Sequence, residues 1–196
     1  MSAYRILIFA SGSGSNAENI VRYFREKELR GEGRVEIVGI LTNNAHAGVI
    51  ERADRLGIPC EIFNREHWKN SDSMLELVGK YNADLIVLAG FLWKFPDFLI
   101  AQSKGKVINL HPALLPKFGG KGMYGMHVHE AVVAQGETET GITVHWVNEH
   151  YDEGNIIAQF SCKVENGDTA SDVAEKIHQL EGAHFPAVVD SVLQQL

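Results

Sequence analysis

Cysteine, long apolar runs and net positive charge are all scarce in this sequence. Its two cysteines, Cys60 and Cys162, are too few and too far apart for a disulfide framework. The apolar run near the N-terminus, ILIFA, is too short for a signal peptide or a membrane segment. A net charge of −7 leaves no basic face for nucleic acid. We therefore expect a cytoplasmic protein with free thiols that binds small molecules, with neither nucleic acid nor a membrane as partner.

The alternation of short apolar segments with segments of helical length predicts an α/β fold. The 196 residues are 45% hydrophobic and 22% charged, which is typical of one globular domain over residues 1–196. The apolar segments are rich in Ile, Val and Leu, as in a parallel sheet buried on both faces. Strands are predicted at 4–10, 34–42, 60–63, 83–90, 106–110, 141–148 and 155–164. The last two are joined only by EHYDEG, which favours an antiparallel pair.

The helices are predicted from the segments between these strands. They lie at 15–30, 47–57 and 66–80, and an amphipathic helix over 169–195 is expected to be broken or bent near Gly182 and Pro186. The segment 117–140, which contains several glycines, is predicted to be a loop.

The first chemical motif is ASGSGSN, between the first strand and the first helix. Gly12 and Gly14 allow a sharp turn, after which the amide groups of the helix start can hold an anion such as phosphate. The spacing through Ala17 also fits a dinucleotide site, but the second strand ends in LTNN without the acid that such a site uses. No Gly-Lys-Ser or Gly-Lys-Thr follows, so a Walker loop is excluded. A glycine turn without a ligand is the alternative.

The second motif is the stretch VINLHP, which carries Asn109 and His111. Two residues apart on an extended strand, their side chains point to the same side of it. Ligands of open α/β sheets bind beyond the carboxyl ends of the strands, so this motif and the glycine turn are expected to share one crevice. An amide can stabilise an oxyanion, and an imidazole of pKa about 6.5 can exchange a proton near neutrality. The alternative is a hydrogen-bonded core Asn and a satisfied His.

A carboxylate in NEHYDEGNI could complete this pair. Asp152 lies between the last two predicted strands, and a carboxylate beside an imidazole raises the imidazole pKa and fixes the ring. Amide, imidazole and carboxylate together suggest acyl transfer. The alternative is that Asp152 only shapes a turn.

The segments SGSGSN, DLIVLAGF, INLHPALLPKF, GITVHWV and DEGNII, in this order, resemble the folate-dependent formyltransferase family. The first loop is similar to that of the members that formylate phosphoribosylglycinamide in purine synthesis. The resemblance implies a three-layer sandwich with a mostly parallel seven-stranded sheet and a Rossmann-like N-terminal half. It also implies formyl-tetrahydrofolate as co-substrate and no metal, and it leaves a monomer or a homodimer open.

The resemblance also implies a role for individual residues. Gly14, Ser15 and Asn16 would bind the phosphate of phosphoribosylglycinamide, and Glu181 would bind its ribose. Asn109, His111 and Asp152 would be catalytic. The folate-binding residues would be Leu92, Trp93, Lys94, Phe95, Asn109, Asn148, Glu149, His150, Tyr151 and Asp152.

At the predicted folate site and in the loop after INLHPALLP, the sequence departs from the family pattern. Many members carry an Arg after LAGF, where this chain has Leu92, Trp93 and Lys94. The loop that contains Lys121, Tyr124, His127 and His129 is longer than the short glycine link of the family. A His-x-His pair can ligate a metal, but no cysteine or acid cluster accompanies this one, so no metal site is expected.

Together these residues suggest a direct transfer of the formyl group from the folate to the amine. The glycinamide amine would attack the formyl carbon, Asn109 and a protonated His111 would stabilise the oxyanion, and Asp152 would keep the imidazole charged. The proton would then leave through His111 or a water molecule. Alternatives are a formyltransferase acting on methionyl-tRNA or an amino sugar, a formyl-tetrahydrofolate hydrolase, or a nucleotide-binding module without catalysis. The tRNA enzyme and the hydrolase would be expected to carry further domains.

Overall fold

A seven-stranded sheet organises the computed structural model, which describes residues 3–196. Every strand predicted from the sequence is present, with ends that differ by at most a few residues. The strands are β1 (Tyr4–Phe9), β2 (Val35–Thr42), β3 (Cys60–Ile62), β4 (Leu85–Leu88), β5 (Val107–His111), β6 (Glu139–Trp146) and β7 (Ile156–Lys163).

Five strands of the sheet run parallel, β6 runs in the opposite direction, and β7 again runs in the direction of the first five. The order of the strands is β3-β2-β1-β4-β5-β6-β7, and β1 to β5 all pair in parallel. Strand β6 is antiparallel to β7, as predicted, and it is also antiparallel to β5. The predicted fold class, a mostly parallel sheet with an antiparallel pair at its C-terminal side, is confirmed.

Seven helices connect or cover the strands in the described residues 3–196. They are α1 (Ser15–Leu29), α2 (Val49–Leu56), α3 (Arg65–Lys69), α4 (Ser71–Gly79), α5 (Asp97–Gln102), α6 (Met126–Ala134) and α7 (Ala170–Leu193). The helix predicted at 66–80 is in fact two, because the Asn70 side chain accepts the Ser73 amide proton and starts α4 as a new helix.

Two further helix predictions differ from the structure. The segment 117–140 is not all loop, since α6 lies within it; Val128 and Val132, four residues apart, form its buried side. The glycines that precede α6 concealed this signal. Of the break or bend predicted near Gly182 and Pro186, the break is absent: α7 is one helix that contains Pro186, which removes only one backbone hydrogen bond of a helix whose side is buried. No helix within residues 3–196 has the length and apolarity needed to cross a membrane.

Alternation along the strands creates two cores, one on each face of the sheet. Ile6 and Ile8 pack with α1, α2, α6 and α7, whereas Leu7 and Phe9 pack with α3, α4 and α5. The result is the three-layer sandwich that the family resemblance implied. On β5, Ile108 and Leu110 belong to the first core, so Asn109 and His111 face the opposite side.

The second core depends on the Phe9 ring. Phe9 is fully buried and meets the rings of Phe63, Trp68, Phe91 and Phe95 edge-on, with centroid distances of 5.2–6.2 Å. Edge-to-face contacts of this kind add to the gain from burial. The cluster fixes β1, β4 and α3 to one another directly below the glycine turn that follows β1.

We expect Phe9→Ala to lower the free energy of unfolding by about 3–5 kcal/mol, because it removes a buried ring and leaves a cavity. Urea unfolding followed by tryptophan fluorescence measures the change. Leu29→Ala is the matched control: this side chain is 87% exposed, and the change should stay within about 0.5 kcal/mol. A loss below 1 kcal/mol for Phe9→Ala would contradict the role given to this ring.

Candidate active site

A cavity of about 920 Å³ opens at the carboxyl ends of β1, β4 and β5. This is the edge at which ligands of open α/β sheets bind. The predicted site residues that line it are Gly14, Ser15, Asn16, Leu92, Trp93, Lys94, Phe95, Asn109, His111, Asn148, His150, Tyr151, Asp152 and Glu181. Glu149 is not among the lining residues; its carboxylate is 65% exposed and lies 3.8 Å from His150 Nε2. The glycine turn and the VINLHP motif thus share one crevice, as the sequence predicted.

The phosphate loop (residues 12–16) lies at one end of the cavity. Gly14 caps α1 in the left-handed conformation, with φ of 79°, and Ser15 is the first residue of the helix. A Cβ on Gly14 would lie 2.4 Å from Val49 Cγ2, so α2 also requires a glycine here. The free amide groups of the first helical turn and the positive end of α1 together form an anion site.

Glu181 of α7 is joined to this loop. Its Oε2 accepts a hydrogen bond from Asn16 Nδ2 at 2.9 Å and lies 3.1 Å from His178 Nδ1. The hydrogen bond to Glu181 raises the pKa of His178 above its ordinary value. Glu181 is 8% exposed. It is therefore a buried carboxylate of the cavity wall rather than a solvated acid on the surface of α7.

Asn109 is held by His145, a residue that the sequence analysis missed. The two side chains are cross-strand neighbours on one face of β5 and β6, and Asn109 Nδ2 lies 3.1 Å from His145 Nε2. His145 Nδ1 lies 2.9 Å from the Trp146 carbonyl oxygen, which can only accept. In a neutral ring Nδ1 therefore carries the proton and Nε2 accepts one from Asn109. Since an amide nitrogen has two protons, Asn109 keeps one for another partner.

His111 lies between a carbonyl and a carboxylate. Its Nε2 is 2.8 Å from the Phe118 carbonyl oxygen, and its Nδ1 is 3.5 Å from Asp152 Oδ2. Asp152 Oδ2 also accepts the Gly120 amide proton at 2.9 Å, and Oδ1 lies 3.6 Å from His145 Nε2. Asp152 has a φ of 55°, a conformation that Asp tolerates better than most residues. The amide, imidazole and carboxylate predicted from three separate motifs are thus adjacent.

Burial is the largest single influence on the pKa values of His111 and Asp152. It lowers the pKa of His111 below its ordinary value, and the attraction of Asp152 and the Phe118 carbonyl only partly opposes it. Burial also acts to raise the pKa of Asp152, but the rings of His145 and His111, in their protonated forms, and the Gly120 amide together hold it below its ordinary value. At neutral pH these shifts leave Asp152 ionised and His111 neutral. The sequence analysis expected a charged imidazole because it could not weigh burial.

The segment Leu92 to Phe95 forms an apolar wall of the cavity. Phe95 is 3% exposed and belongs to the second core, while Leu92 is 46% exposed at the cavity mouth. The Trp93 ring packs on the rings of Phe63, Trp68 and Phe91. The Arg65 guanidinium lies 4.4 Å from its centroid. Arg65, which the sequence analysis missed, thus provides a cation beside Trp93 at the cavity wall.

The two histidines of the His-x-His pair have different surroundings. His127 is exposed and lies 3.3 Å from Glu130 Oε2, whereas His129 is 5% exposed and lines the cavity. Within residues 3–196, no group of three or more His, Cys, Asp and Glu side chains is arranged to hold a metal ion.

Comparison with known proteins relates the whole chain to one family. The family profile described as formyl transferase matches residues 4–189. The chloroplastic phosphoribosylglycinamide formyltransferase of Arabidopsis thaliana is 34% identical over 196 residues, covering 97% of this chain and 66% of that protein. The human trifunctional purine biosynthetic protein adenosine-3 is 34% identical over 192 residues, covering 96% of this chain and 18% of that protein. The chain thus spans 66% or less of the length of these two curated relatives.

Solved structures show the same relationship. The phosphoribosylglycinamide formyltransferase from Anaplasma phagocytophilum has a TM-score of 0.86 and 29% identity, covering 99% of this chain and 89% of that one. The glycinamide ribonucleotide transformylase 1 from Geobacillus kaustophilus has a TM-score of 0.85 and 32% identity, covering 98% of this chain and 100% of that one.

Histidine NMR titration tests how burial and the charge of Asp152 together set the pKa of His111. Because its folded pKa lies below the unfolded value of about 6.5, His111 should titrate below that value, and the stability it contributes should be lost as the pH falls from about 6.5 through its folded pKa. Asp152→Asn removes the opposing charge and should lower the midpoint further. His178, whose pKa is raised, should titrate above 6.5 in both proteins and serves as the control. An unchanged His111 midpoint in Asp152→Asn would refute the coupling.

Proposed function

The chain belongs to the formyl transferase family, and on that premise we propose that it transfers the formyl group of formyl-tetrahydrofolate to the glycinamide amine of phosphoribosylglycinamide. This is a step of purine synthesis. The observation that carries the proposal is one continuous cavity, with an anion site and Glu181 at one end and Asn109, His111 and Asp152 beside it. An acceptor with a phosphate, a ribose and an amine matches this order of groups.

In this proposal the phosphate loop holds the acceptor by its phosphate. Gly14, Ser15 and Asn16 hold the phosphate at the start of α1, and Glu181 accepts hydrogen bonds from the ribose hydroxyl groups. The bond from Asn16 to Glu181 supports this assignment, because it fixes the distance between the phosphate loop and the ribose contact. The amine then extends along the cavity toward β5.

The folate donor takes the remaining part of the cavity. The apolar wall of Leu92, Trp93 and Phe95 suits the aromatic rings of a folate, and Lys94, Asn148, His150 and Tyr151 line the same space. Glu149 is outside the lining and is left out of this assignment. Placing both substrates in one cavity supplies the entropic part of the rate acceleration.

Asn109 stabilises the oxyanion. When the amine attacks the formyl carbon, negative charge develops on the formyl oxygen. One amide proton of Asn109 is directed to His145, and the other is available to that oxygen. Because His145 holds the amide in place, this donor needs no reorganisation during the reaction, which is the condition for strong electrostatic stabilisation.

His111 and Asp152 act together on the proton of the amine. With Nε2 directed at the Phe118 carbonyl, the neutral ring presents an unprotonated Nδ1 toward Asp152, and the carboxylate favours protonation there. His111 accepts the amine proton, directly or through water, and gives it to the folate nitrogen as the oxyanion collapses and the bond from that nitrogen to the formyl carbon breaks. To contact the formyl oxygen as well, Nε2 has to exchange the Phe118 carbonyl for the substrate.

The location and the oligomeric state of the protein are inferred from its sequence and its cavity. We infer a cytoplasmic location from the charge and the short apolar runs, although the curated relative from Arabidopsis thaliana is named as chloroplastic. A monomer and a homodimer are both compatible with a cavity formed within one chain.

An acceptor panel tests the function. With formyl-tetrahydrofolate as donor, we expect turnover with phosphoribosylglycinamide and none with methionyl-tRNA, an amino sugar or water. Asn109→Ala should reduce kcat by about a hundredfold to a thousandfold, since one oxyanion donor is lost. Asn166→Ala, in an exposed turn, is the control and should retain full activity. Absence of turnover with phosphoribosylglycinamide, or full activity of Asn109→Ala, would contradict the proposal.

Glu181→Gln tests the binding of the ribose. The substitution keeps the shape but removes the charged acceptor, and hydrogen bonds to charged groups contribute about 1.5–3 kcal/mol, so acceptor binding should weaken by about ten- to a hundredfold. Calorimetry with the ribonucleotide and with a folate separates the two sites, since folate affinity should not change. Glu175→Gln, an exposed acid of the same helix, is the control. Equal acceptor affinity of Glu181→Gln and the wild type would return Glu181 to a structural role.

A further inference from the structure

Helix α2 holds two consecutive carbonyl groups of the phosphate loop. The Gly12 carbonyl oxygen accepts the Val49 amide proton at 3.1 Å. The Ser13 carbonyl oxygen accepts a hydrogen bond from Arg52 Nε at 2.8 Å. Gly12 and Ser13 are exposed and line the cavity, whereas Val49 and Arg52 are not among its lining residues. The two carbonyl groups are therefore directed away from the cavity.

The direction of these carbonyl groups decides where the neighbouring amide groups point. The Gly12 carbonyl shares a peptide group with the Ser13 amide, and the Ser13 carbonyl shares one with the Gly14 amide. Both peptide groups are trans, so that the carbonyl oxygen and the amide hydrogen lie on opposite sides. Neither amide has an acceptor within residues 3–196. Both are thus available to an anion on the cavity side of the loop.

The peptide group between Ser13 and Gly14 needs a partner to keep this direction. Gly14 is in the left-handed conformation, with φ of 79°, but a glycine adopts positive and negative φ about equally well. Rotation of this peptide group would therefore meet little resistance from the backbone itself. The rotated carbonyl oxygen would face the cavity, where it would repel a phosphate and remove the amide that binds it. The hydrogen bond from Arg52 opposes this rotation.

Arg52 is in turn held by a carboxylate of α1. Glu18 is buried and accepts hydrogen bonds from Arg52 Nη1 and, at 2.6 Å, from Arg22 Nη2. The hydrogen bonds from Arg22 and Arg52 keep the pKa of Glu18 below its ordinary value, so the carboxylate is charged at neutral pH. Arg52 thus uses two different nitrogens, one for the loop and one for α1, as the fixed fork of a guanidinium allows.

We propose that Arg52 is a positioning residue for the acceptor phosphate: by holding the Ser13 carbonyl oxygen, it keeps the Gly14 amide directed at the phosphate. The inference rests on the proposed function, and it adds a residue outside the cavity on which recognition of the phosphate depends. Arg52 does not touch the substrate and has no part in the transfer of the formyl group.

Steady-state kinetics of Arg52→Met test this role. The substitution keeps an unbranched side chain but removes both contacts, and the loss of one such hydrogen bond should raise KM for phosphoribosylglycinamide about three- to tenfold. We expect kcat and the KM for formyl-tetrahydrofolate to stay within about twofold of the wild type. Arg52→Lys keeps the charge but offers one nitrogen for two acceptors, so its KM should lie between those of Arg52→Met and the wild type.

Glycinamide riboside, the same acceptor without its phosphate, separates recognition of the phosphate from the other contacts. Its kcat/KM, measured with formyl-tetrahydrofolate as donor, should be equal in Arg52→Met and the wild type. Arg55→Met is the matched control. Arg55 lies on the same helix, 3.5 Å from the Glu18 carboxylate, but its substitution leaves the bond to Ser13 in place, so KM should not change.

The inference is overturned if Arg52→Met leaves KM for the ribonucleotide unchanged, if kcat falls as much as KM rises, or if the riboside is affected as strongly as the ribonucleotide. An equal rise of KM in Arg55→Met also overturns it, because the charge and not the contact with the loop would then matter. Should Arg52→Met not fold, Arg52→Lys decides, and a KM equal to that of the wild type overturns the inference. Each of these results leaves the proposed function intact as long as the wild type turns over the ribonucleotide. Absence of that turnover overturns both.

Discussion

The Asp152 carboxylate is the contact on which the catalytic end of the cavity depends. It accepts the Gly120 amide proton and faces the rings of His111 and His145. Asp152 thus links its own turn, which follows β6, to the loop after β5 and to both of these strands. A buried carboxylate is stable only when such partners compensate for the loss of water. Its position therefore fixes both imidazoles, and through His145 it also fixes the Asn109 amide. Fold and chemistry share this one set of contacts.

The reversal of β6 makes that set of contacts possible. In the parallel part of the sheet both faces are covered by helices and lined by apolar residues. At β5 and β6 one face carries Ile108, Leu110, Ile142 and Val144, and the other carries polar side chains. Antiparallel pairing places Asn109 opposite His145 and His111 opposite Thr143 on this polar face, where the turn after β6 can reach them. The sheet thus changes from a buried scaffold to the wall of a site within two strands.

The acceptor end is organised in a different way, by one helix contacting another. Asn16 in the first turn of α1 donates to Glu181 in the middle of α7, which makes the phosphate loop and the last helix one unit although they are 165 residues apart. The same α7 carries His178 and packs against α6, the helix that brings His129 to the cavity. Polar side chains that look like surface residues of two amphipathic helices are in fact the buried inner wall of the site.

The sequence by itself determined the strands, the fold class, the family and the residues of the local motifs. Strand periodicity, a glycine turn before a helix and an Asn-x-His pair on one strand are all properties of residues that are neighbours in the chain. The tertiary structure decided which distant residues meet and how deeply they are buried. His145 and Arg65 carry no local signal, since each acquires its role only through a partner on another element. Burial favours a neutral His111 where a charged ring was expected. Glu149 stays exposed outside the cavity lining, and His129 is buried whereas His127, on the same helix, is exposed. Local periodicity cannot report these outcomes, because desolvation depends on everything that packs around a group and not on its position in the chain.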